Sequence, residues 1–461
     1  MQKRIDREYY LLVALLYGGV NAPAAVYTTY LLMHGLSQAD VFLVRLVYFG
    51  TLVLLEFYAG VLSDWLGRRA LVIAACTLFI ANMVMFGSFQ TFWPFVFAEF
   101  VGAVGQTCAN RACEAWYVDR SNHYSGGSDE HTFFHRRFSS AWVLKHLMSL
   151  FAGAVGGYLS YQWAPAAWFF GALFFSGGLV FAVVSMREEY FVRSRISFCD
   201  AHKIFLARAQ QSFKLGWNNP DVMFLSVVMF GLAASVMSAN LLWQPYFRQW
   251  AGNDAAQGLI WGGMSASLML GSFLAPTLMW GVACERKCLL ACAAIVAVGM
   301  GTTVYLDFPT AFAAFFPYQA ARGSVGVIKD SLLARSIKGA EQRAAIASFE
   351  SIAYHGGGFV VLIVWGVFVR DVSIQTAWTV SAIGLVSLVV VMAFTLPHMF
   401  KENRNLRKPL LTPLRVGIIV VAILFGIGLL MPSNHTVAPP AAMYMQSPPP
   451  PIGASAFPKN P

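Results

Sequence analysis

Long apolar runs separated by short polar connections are the feature that most limits what this chain can fold into. Thirteen runs of 17 to 28 residues follow one another along the sequence. They cover residues 9–33, 41–63, 70–88, 92–118, 138–158, 166–186, 221–248, 257–281, 289–305, 309–334, 344–369, 374–396 and 414–431. A helix of about 20 apolar residues crosses a bilayer, so each run is long enough for one membrane span.

The composition agrees with a protein built mainly from membrane spans. Of 461 residues, 57% are apolar and 12% are charged, and the mean hydropathy is +0.59. A water-soluble domain usually has about a quarter charged residues, because its surface must be solvated. These values exclude an ordinary soluble enzyme and a disordered chain, and they predict an all-α integral membrane protein.

The net charge of +10 would suggest a nucleic-acid partner in a soluble protein. Here most of the 32 Lys and Arg lie in alternate connections, beginning with Lys3, Arg4 and Arg7. Cytoplasmic connections of membrane proteins carry such an excess of basic residues. We therefore expect a multi-pass membrane protein with a cytoplasmic N-terminus, in contact with lipid and not with nucleic acid.

The spacing of the runs divides the chain into two halves. Residues 1–186 and 221–398 hold six runs each, and the basic stretch 187–220 between them is expected to be a cytoplasmic loop. This pattern predicts two pseudo-symmetric six-helix bundles with a cleft between them. Residues 399–431 are expected to form a basic linker and a thirteenth membrane helix. Residues 432–461 hold nine of the 20 prolines, which predicts a disordered tail that can dock a protein partner.

The most specific motif lies between the second and third runs, where residues 60–69 read Gly-Val-Leu-Ser-Asp-Trp-Leu-Gly-Arg-Arg. The two glycines permit a tight turn, and the acidic residue can lie at a helix N-terminus, where its charge is favoured. In position and spacing the segment resembles the signature loop of the major facilitator superfamily. The resemblance implies the two-bundle transporter fold predicted above.

A second segment, residues 114–119, reads Glu-Ala-Trp-Tyr-Val-Asp and is similar to one in bacterial drug:proton exporters of that superfamily. The resemblance implies an inner-membrane protein and an acidic residue that pairs with the signature arginine in a gate. The gate is assigned to Gly60, Asp64, Gly67, Arg68, Arg69 and Asp119. Two features differ from the exporters: residues 152–157 lack the proline of helix five, and no proline follows shortly after Glu56. Residues 281–287 are a degraded second copy of the signature loop, as expected of a duplication.

Polar residues in the first, fourth, seventh and tenth runs are expected to line the central cavity, because those helices do so in the superfamily. This set is Asn21, Tyr27, Gln106, Asn110, Asn240, Trp243, Gln244, Tyr318, Gln319 and Arg322. In the fourth run, Glu99, Gln106, Asn110 and Glu114 form one stripe at 100° per residue. The alternative is that these polar groups bind one another between helices.

Charged groups inside a membrane are costly, which makes each of them a candidate for function. We expect Glu99 to carry the coupling proton, followed by Glu56, Glu114 and His355. The alternative for Glu99 is a structural ion pair with a basic residue such as Arg322. In the second half, Arg322 and His355 are expected near mid-depth, with Glu350 and Lys329 closer to the cytoplasm. A second expectation is one ion-pair network behind the gate, made of Glu56, Arg111, Glu114, Lys145 and His146.

Two clusters permit a metal interpretation, although no metal site or cofactor is predicted. Cys284, Cys288 and Cys292 recur every four residues, and a polar connection holds His123, Asp129, Glu130, His131 and His135. Buried packing and a solvated loop are the alternatives. The sequence has no phosphate-binding loop, zinc-protease or serine-hydrolase motif, which argues against an enzyme.

These features together predict a secondary transporter that moves a small solute by alternating access, with proton-coupled export as the leading interpretation. A carrier for a metal ion or metal chelate, of the iron or siderophore type, is the first alternative. A membrane scaffold or sensor with a transporter fold is the second. The proline-rich tail would then serve as the docking element of the scaffold.

Overall fold

The computed structural model describes residues 2–110, 112–125, 130–188, 198–282, 284–336, 340–370 and 372–401. Helices account for nearly all of them. Their bounds are α1 Gln2–Asn21, α2 Tyr27–Met33, α3 Gln38–Leu66, α4 Arg68–Ser88, α5 Phe92–Ala109, α6 Ala112–Ser125, α7 Glu130–Gln162, α8 Ala166–Val184, α9 Phe198–Asn218, α10 Pro220–Ala251, α11 Asp254–Val282, α12 Glu285–Thr303, α13 Thr310–Ser336, α14 Ala340–Ile363 and α15 Ile374–Lys401. A π-helical turn, Val364–Val369, continues α14. The predicted thirteenth helix at 414–431 and the tail lie outside the described residues.

Short connections make consecutive long helices antiparallel, so that their ends alternate between two faces of the molecule. We call the face at which α1 begins the N-terminal face, and it also carries the turn at Gly67 between α3 and α4. The opposite face carries the connections 34–37, 89–91, 163–165, 252–253 and 304–309. Depth in the membrane is given below relative to these two faces.

The long helices form two six-span bundles, α1 to α8 and α10 to α15. Within the first, α4 packs against α5 and α8, and within the second, α12 packs against α13 and α15. Between the bundles, α3 packs on α14 and α7 packs on α11. The second span of each bundle therefore meets the fifth span of the other, which is the exchange that a pseudo-two-fold relation requires.

Eight helices among the described residues are long and apolar enough to cross a membrane. The four remaining spans of the predicted twelve are the first, fourth, fifth and tenth. Their helices, α1, α5, α7 and α13, carry charged or polar residues or are broken within the span.

Two predicted spans are broken, which corrects the expectation of continuous helices. The first span stops at Asn21, passes through a turn at residues 22–26 and resumes at Tyr27. The fourth stops at Ala109, and Asn110 has the non-helical angles φ −54° and ψ 117°. The polar stripe predicted along the fourth run therefore does not continue in register to Glu114, which lies on the separate helix α6.

The connection between the bundles contains a helix where a loop was predicted. Helix α9 packs on α14 and on α3, and so contacts both bundles at the N-terminal face. Phe213 meets Phe349 edge to face at 5.6 Å between ring centroids. The side-chain oxygen of Asn219 then accepts hydrogen bonds from the first backbone N–H groups of α10, at Asp221 and Val222. This cap explains why α10 begins where it does.

Candidate functional site

The signature segment forms a turn at the N-terminal face. Gly67 has φ +85°, a conformation that favours glycine, and α4 begins at the next residue. Arg68 Nε lies 3.2 Å from Asp119 Oδ2, so the predicted pair between the signature loop and residues 114–119 is formed. Gly60 lies within α3, and the side chain of Asp64 lies outside the described part of the chain. The role of this set as a gate stays a prediction.

Sequence reasoning missed Glu188, which completes this turn. Its carboxylate accepts the backbone N–H groups of Arg68 at 2.7 Å and of Arg69 at 3.1 Å. The first N–H groups of a helix have no partner within the helix, and a negative charge there is favoured. Arg69 also donates to the carbonyl oxygens of Ala182 and Val183 at the end of α8. The signature turn therefore fastens α4 to α6 and α8.

At the opposite face, Gln244 closes the contact between the bundles. Its Oε1 accepts the backbone N–H groups of Thr28 at 2.6 Å and Thr29 at 3.2 Å, and its Nε2 donates to Ala24 O at 2.8 Å. Gln257 donates to Gln244 O and accepts from Thr29 Oγ1. We call Thr28, Thr29, Gln244 and Gln257 the opposite-face latch.

The break in the first span is the reason for this latch. Because α2 starts anew after the turn at 22–26, its first N–H groups have no partner within the helix. Gln244 supplies the acceptor from the other bundle. Gln244 was predicted to line the cavity, but its amide atoms are taken up by α2 and by Ala24, and it is buried.

Residues 152–157 lack the exporter proline, and two of their glycines pack against backbone atoms, Gly156 within the first bundle and Gly157 across to the second. A Cβ on Gly156 would lie 1.9 Å from Ala22 O, and one on Gly157 would lie 2.7 Å from both Asp254 O and Gly258 Cα. Deeper in α7, Ser149 Oγ lies 3.0 Å from Ser265 Oγ and donates to Asn21 Oδ1 at 2.9 Å. Asn21, predicted to line the cavity, is thus bound to a neighbouring helix.

Glu99 is an ion-pair partner inside the first bundle. Arg45 Nη1 lies 3.1 Å from Glu99 Oε2, and Tyr27 Oη donates to Glu99 Oε1 at 2.6 Å. Only 4% of the Glu99 side chain is exposed. The partner is Arg45 on α3, not Arg322, because the long Arg45 side chain reaches this depth from seven residues inside its helix. Tyr27, also predicted to line the cavity, belongs to this triad.

The predicted network behind the gate is present in part. Lys145 Nζ lies 2.9 Å from Glu114 Oε1 and 4.8 Å from the Tyr17 ring centroid. His146 instead lies beside Trp142, at 5.6 Å between ring centroids. Glu56 is buried, and Arg111 lies outside the described residues. Glu114 and Lys145 therefore form an ion pair that joins α6 to α7.

A cavity of about 320 Å³ opens in the second bundle. Its lining is Met229, Leu232, Val236, Leu268, Arg322, Val325, Gly326, Lys329, Glu350, Ser351, Tyr354 and His355. Phe49 of the first bundle lies 5.9 Å from the His355 ring, which puts the rim of the cavity at the interface between the bundles. A volume of this size is at the lower end of that of small-molecule pockets.

The predicted cavity residues divide into those that meet this cavity and those that bind one another. Arg322 lines the cavity. Tyr318 and Gln319 are fully buried and accept hydrogen bonds from Arg322. Gln106 donates to Asn110 at 2.8 Å, and buried Trp243 stacks on Trp261 at 5.9 Å. Asn240 is not part of the lining. Gln106 and Asn110 therefore bind each other within one span, whereas Asn21, Tyr27 and Gln244 bind groups of neighbouring helices.

Lys329 and Glu350 line the cavity although sequence reasoning placed them nearer the membrane surface. Their Nζ and Oε2 atoms lie 3.5 Å apart. Seven residues separate Arg322 from Lys329, so both lie on one face of α13, and this spacing was the signal that could have found them. His355, predicted to carry a proton, also lines the cavity, and its Nδ1 lies 3.3 Å from Ser351 Oγ.

The described residues offer no cluster of three His, Cys, Asp or Glu side chains that could hold a metal ion. Cys288 and Cys292 are buried in α12. The side chains of His131 and His135 lie outside the described part of the chain. The metal interpretation gains no support from the part of the molecule that can be described.

Comparison with known proteins places this geometry in a family. Residues 2–311 match the model of a family described as sugar transporters with 12 transmembrane segments. No curated protein matches the sequence. Among solved structures, the nucleoside transporter NupG is similar with a TM-score of 0.67 and 13% identity, over 86% of this chain and 99% of that one.

Two further structures share the fold. The POT family transporter PepTSo has a TM-score of 0.66 and 11% identity, over 87% of this chain and 99% of that one. A D-xylose-proton symporter has a TM-score of 0.62 and 12% identity, over 86% and 96%. At such low identities the structures show a common fold and no more.

The two-bundle fold and the matched family define a secondary transporter embedded in a membrane. The chain belongs to the family of 12-span sugar transporters whose model it matches, within the major facilitator superfamily. It is a multi-pass membrane protein and a carrier, not an enzyme. The finer resemblance to drug:proton exporters stays a prediction.

Proposed function

We propose that this transporter moves a small organic solute through the cleft between its bundles by alternating access, coupled to protons and in the direction of export. The cavity of about 320 Å³, with ionisable groups on its wall and its rim at the bundle interface, is the observation that carries the proposal. Ionisable residues inside a membrane mark substrate and proton paths. The export direction and the bacterial inner membrane rest on the resemblance of residues 114–119, and the cytoplasmic N-terminal face rests on the distribution of basic residues.

The first experiment measures the melting temperature of the purified protein in the presence of each solute of a panel. A ligand at 100 times its dissociation constant stabilises the native state by about 2.7 kcal/mol, which a melting curve resolves. Solutes that stabilise the protein are then tested in proteoliposomes under an imposed proton gradient. Stabilisation without gradient-driven flux of any such solute would contradict proton-coupled transport. Net flux of the solute towards the cytoplasmic side would contradict export.

Glu350 joins Glu99 as a site for the coupling proton, because it is buried on the cavity wall, whereas Glu99 is held by Arg45 and Tyr27 away from it. We expect Glu350→Gln to abolish gradient-driven accumulation and to preserve solute counterflow, since the amide keeps the shape of the side chain without its proton. Asp330→Asn is the matched control, because Asp330 also lies near Lys329, at 3.7 Å, but is 57% exposed.

The same assay tests the assignment made from the sequence. If Glu99→Gln loses driven accumulation and Glu350→Gln retains it, the coupling proton resides at Glu99. If both variants keep driven accumulation at the wild-type level, neither carboxylate couples protons to transport.

Alternating access requires the opposite-face latch to break. We expect Gln244→Ala to raise the labelling rate of Thr28→Cys from the opposite face about tenfold or more, because the variant removes three hydrogen bonds between the bundles. Thr28 is buried and its Oγ1 makes no hydrogen bond, so the cysteine removes no contact of the latch. A membrane-impermeant maleimide, applied to a variant without native cysteines, gives the rate.

Gln106→Ala is the control for this measurement, because Gln106 bonds to Asn110 within one bundle. Equal labelling rates in the Gln244 and Gln106 variants would show that the latch does not limit opening.

A further inference from the structure

Arg322 is a cation in the membrane-embedded cavity that has no acidic partner among the described residues. Its Nη1 donates to Gln319 Oε1 at 2.9 Å and to Tyr318 Oη at 3.4 Å, and its guanidinium lies 5.6 Å from the Tyr318 ring centroid. All of these partners are neutral. An isolated charge inside a membrane is costly, and such charges normally pair with one another or serve a function.

The other cation of the cavity is accompanied by acids. Lys329 lies 3.5 Å from Glu350 and 3.7 Å from Asp330. With Lys329 and Glu350 both ionised, the lining carries one positive charge in excess, and that charge is Arg322. This excess would be neutralised by an anionic group on the solute.

A buried hydrogen-bond donor beside the guanidinium also lacks an acceptor. Gln319 is fully buried, and its Nε2 has no hydrogen-bond partner in the described structure. The two polar atoms of its amide share one carbon, and the oxygen already accepts from Arg322. The unsatisfied donor therefore lies next to the guanidinium. Leaving a buried donor unsatisfied costs stability, and a ligand bound to the guanidinium would bring an acceptor close to this donor.

The rest of the lining is apolar. Helices α10 and α11 contribute Met229, Leu232, Val236 and Leu268, and α13 adds Val325. The charged and hydroxyl groups come from α13 and α14, so that the two sides of the cavity differ in chemistry. A solute that fills it needs an anionic group for one side and an apolar body for the other.

We propose that the solute is a small organic carboxylate with an apolar body, and that Arg322 binds its carboxylate. This inference rests on the proposed transport function and names its substrate class. The planar guanidinium presents two parallel N–H groups to a carboxylate, a geometry that a lysine ammonium does not reproduce. A neutral sugar would leave the charge of Arg322 without compensation.

The test is binding to the purified full-length protein in detergent, which does not depend on transport. The probes are three carboxylates of increasing size and their neutral amides: benzoate and benzamide, 3-phenylpropanoate and 3-phenylpropanamide, and indole-3-acetate and indole-3-acetamide. Acetate, sulfate and glucose are the comparison solutes. Calorimetry and melting temperature are measured at one pH and one ionic strength.

We expect at least one carboxylate to bind about 10- to 100-fold more tightly than its amide, because the contact with Arg322 is charge-assisted. Arg322→Gln should abolish this preference, and Arg322→Lys should retain part of it. The melting temperature of unliganded Arg322→Gln should equal or exceed that of the wild type, since the variant removes a charge without an acidic partner. That control separates lost binding from lost folding.

Several outcomes overturn the proposal. Equal binding of acids and amides, a preference for acids that survives in Arg322→Gln, or tight binding of glucose instead of any carboxylate would each do so. If sulfate or acetate bound as tightly as indole-3-acetate, the solute would not need an apolar body. If carboxylates bound through Arg322 but showed no flux in proteoliposomes, the proposed transport function would be refuted. The proposed binding site would still stand.

Gly326 provides an independent measurement of the same site. It lines the cavity, and a Cβ added there would meet no atom within 4 Å. Gly326→Val should therefore fold and fill part of the cavity. We expect it to weaken indole-3-acetate more than benzoate, by about tenfold. No effect on either acid would show that the carboxylates bind elsewhere.

Discussion

Replacing Arg45 by Gln is expected to lower the free energy of unfolding by about 3–5 kcal/mol, because it leaves the carboxylate of Glu99 buried without its cation. Glu99 is 4% exposed at its side chain, and Tyr27 would remain as its partner. Melting temperature in detergent measures this loss.

The double variant Arg45→Gln with Glu99→Gln should recover most of the stability lost in Arg45→Gln, because no buried charge is left. The single variant Glu99→Gln is the third corner of this cycle, and it also serves the transport assay. Additive effects of the two substitutions would show that the pair is not coupled. The cycle therefore separates a structural role of Glu99 from a role in proton coupling.

Gly156→Ala is expected to destabilise the protein by about 3 kcal/mol, because its Cβ would lie 1.9 Å from the backbone oxygen of Ala22. A backbone atom cannot rotate away as a side chain can, so α7 must move from the turn at 22–26. That turn precedes the α2 N–H groups bound by Gln244, so the opposite-face latch should weaken as well. Melting temperature and Thr28→Cys labelling report the two effects.

Gly326→Ala is the matched control, because Gly326 is also helical and its added Cβ meets nothing within 4 Å. It should leave stability unchanged or raise it by up to about 1 kcal/mol, through the better helix propensity of alanine. If Gly156→Ala were as stable as Gly326→Ala, the close approach of α7 to the 22–26 turn would not stabilise the first bundle.

These expectations show why the polar residues of the first and seventh spans were difficult to assign from sequence. Gln244 and Tyr27 lie at the expected depth, yet both are bound to other helices and not to the cavity. A polar side chain in a membrane helix satisfies itself with whatever partner packs beside it. Periodicity along one helix contains no information about that partner.

The lining of the cavity also depends on contacts that the sequence does not reveal. Arg322 and His355 were singled out as intramembrane charges, and both line the cavity. Lys329 and Glu350 are nearer to the helix ends along the chain, and counting residues from those ends predicts that they lie closer to the cytoplasm. The crossing of α13 and α14 brings all four to one space, and helix crossings are set by packing between segments distant in sequence.

The sequence by itself determined the apolar character of the spans, their division into two halves, and the signature turn at Gly67. Those features depend on local composition, or on a motif whose geometry is local. Only the tertiary structure decided where the helices break, that Glu99 pairs with Arg45, and that Gln244 joins the bundles while Arg322 has no acidic partner among the described residues. Thr28 and Gln244 are 216 residues apart, and the energy of such a contact depends on the packing of the two bundles.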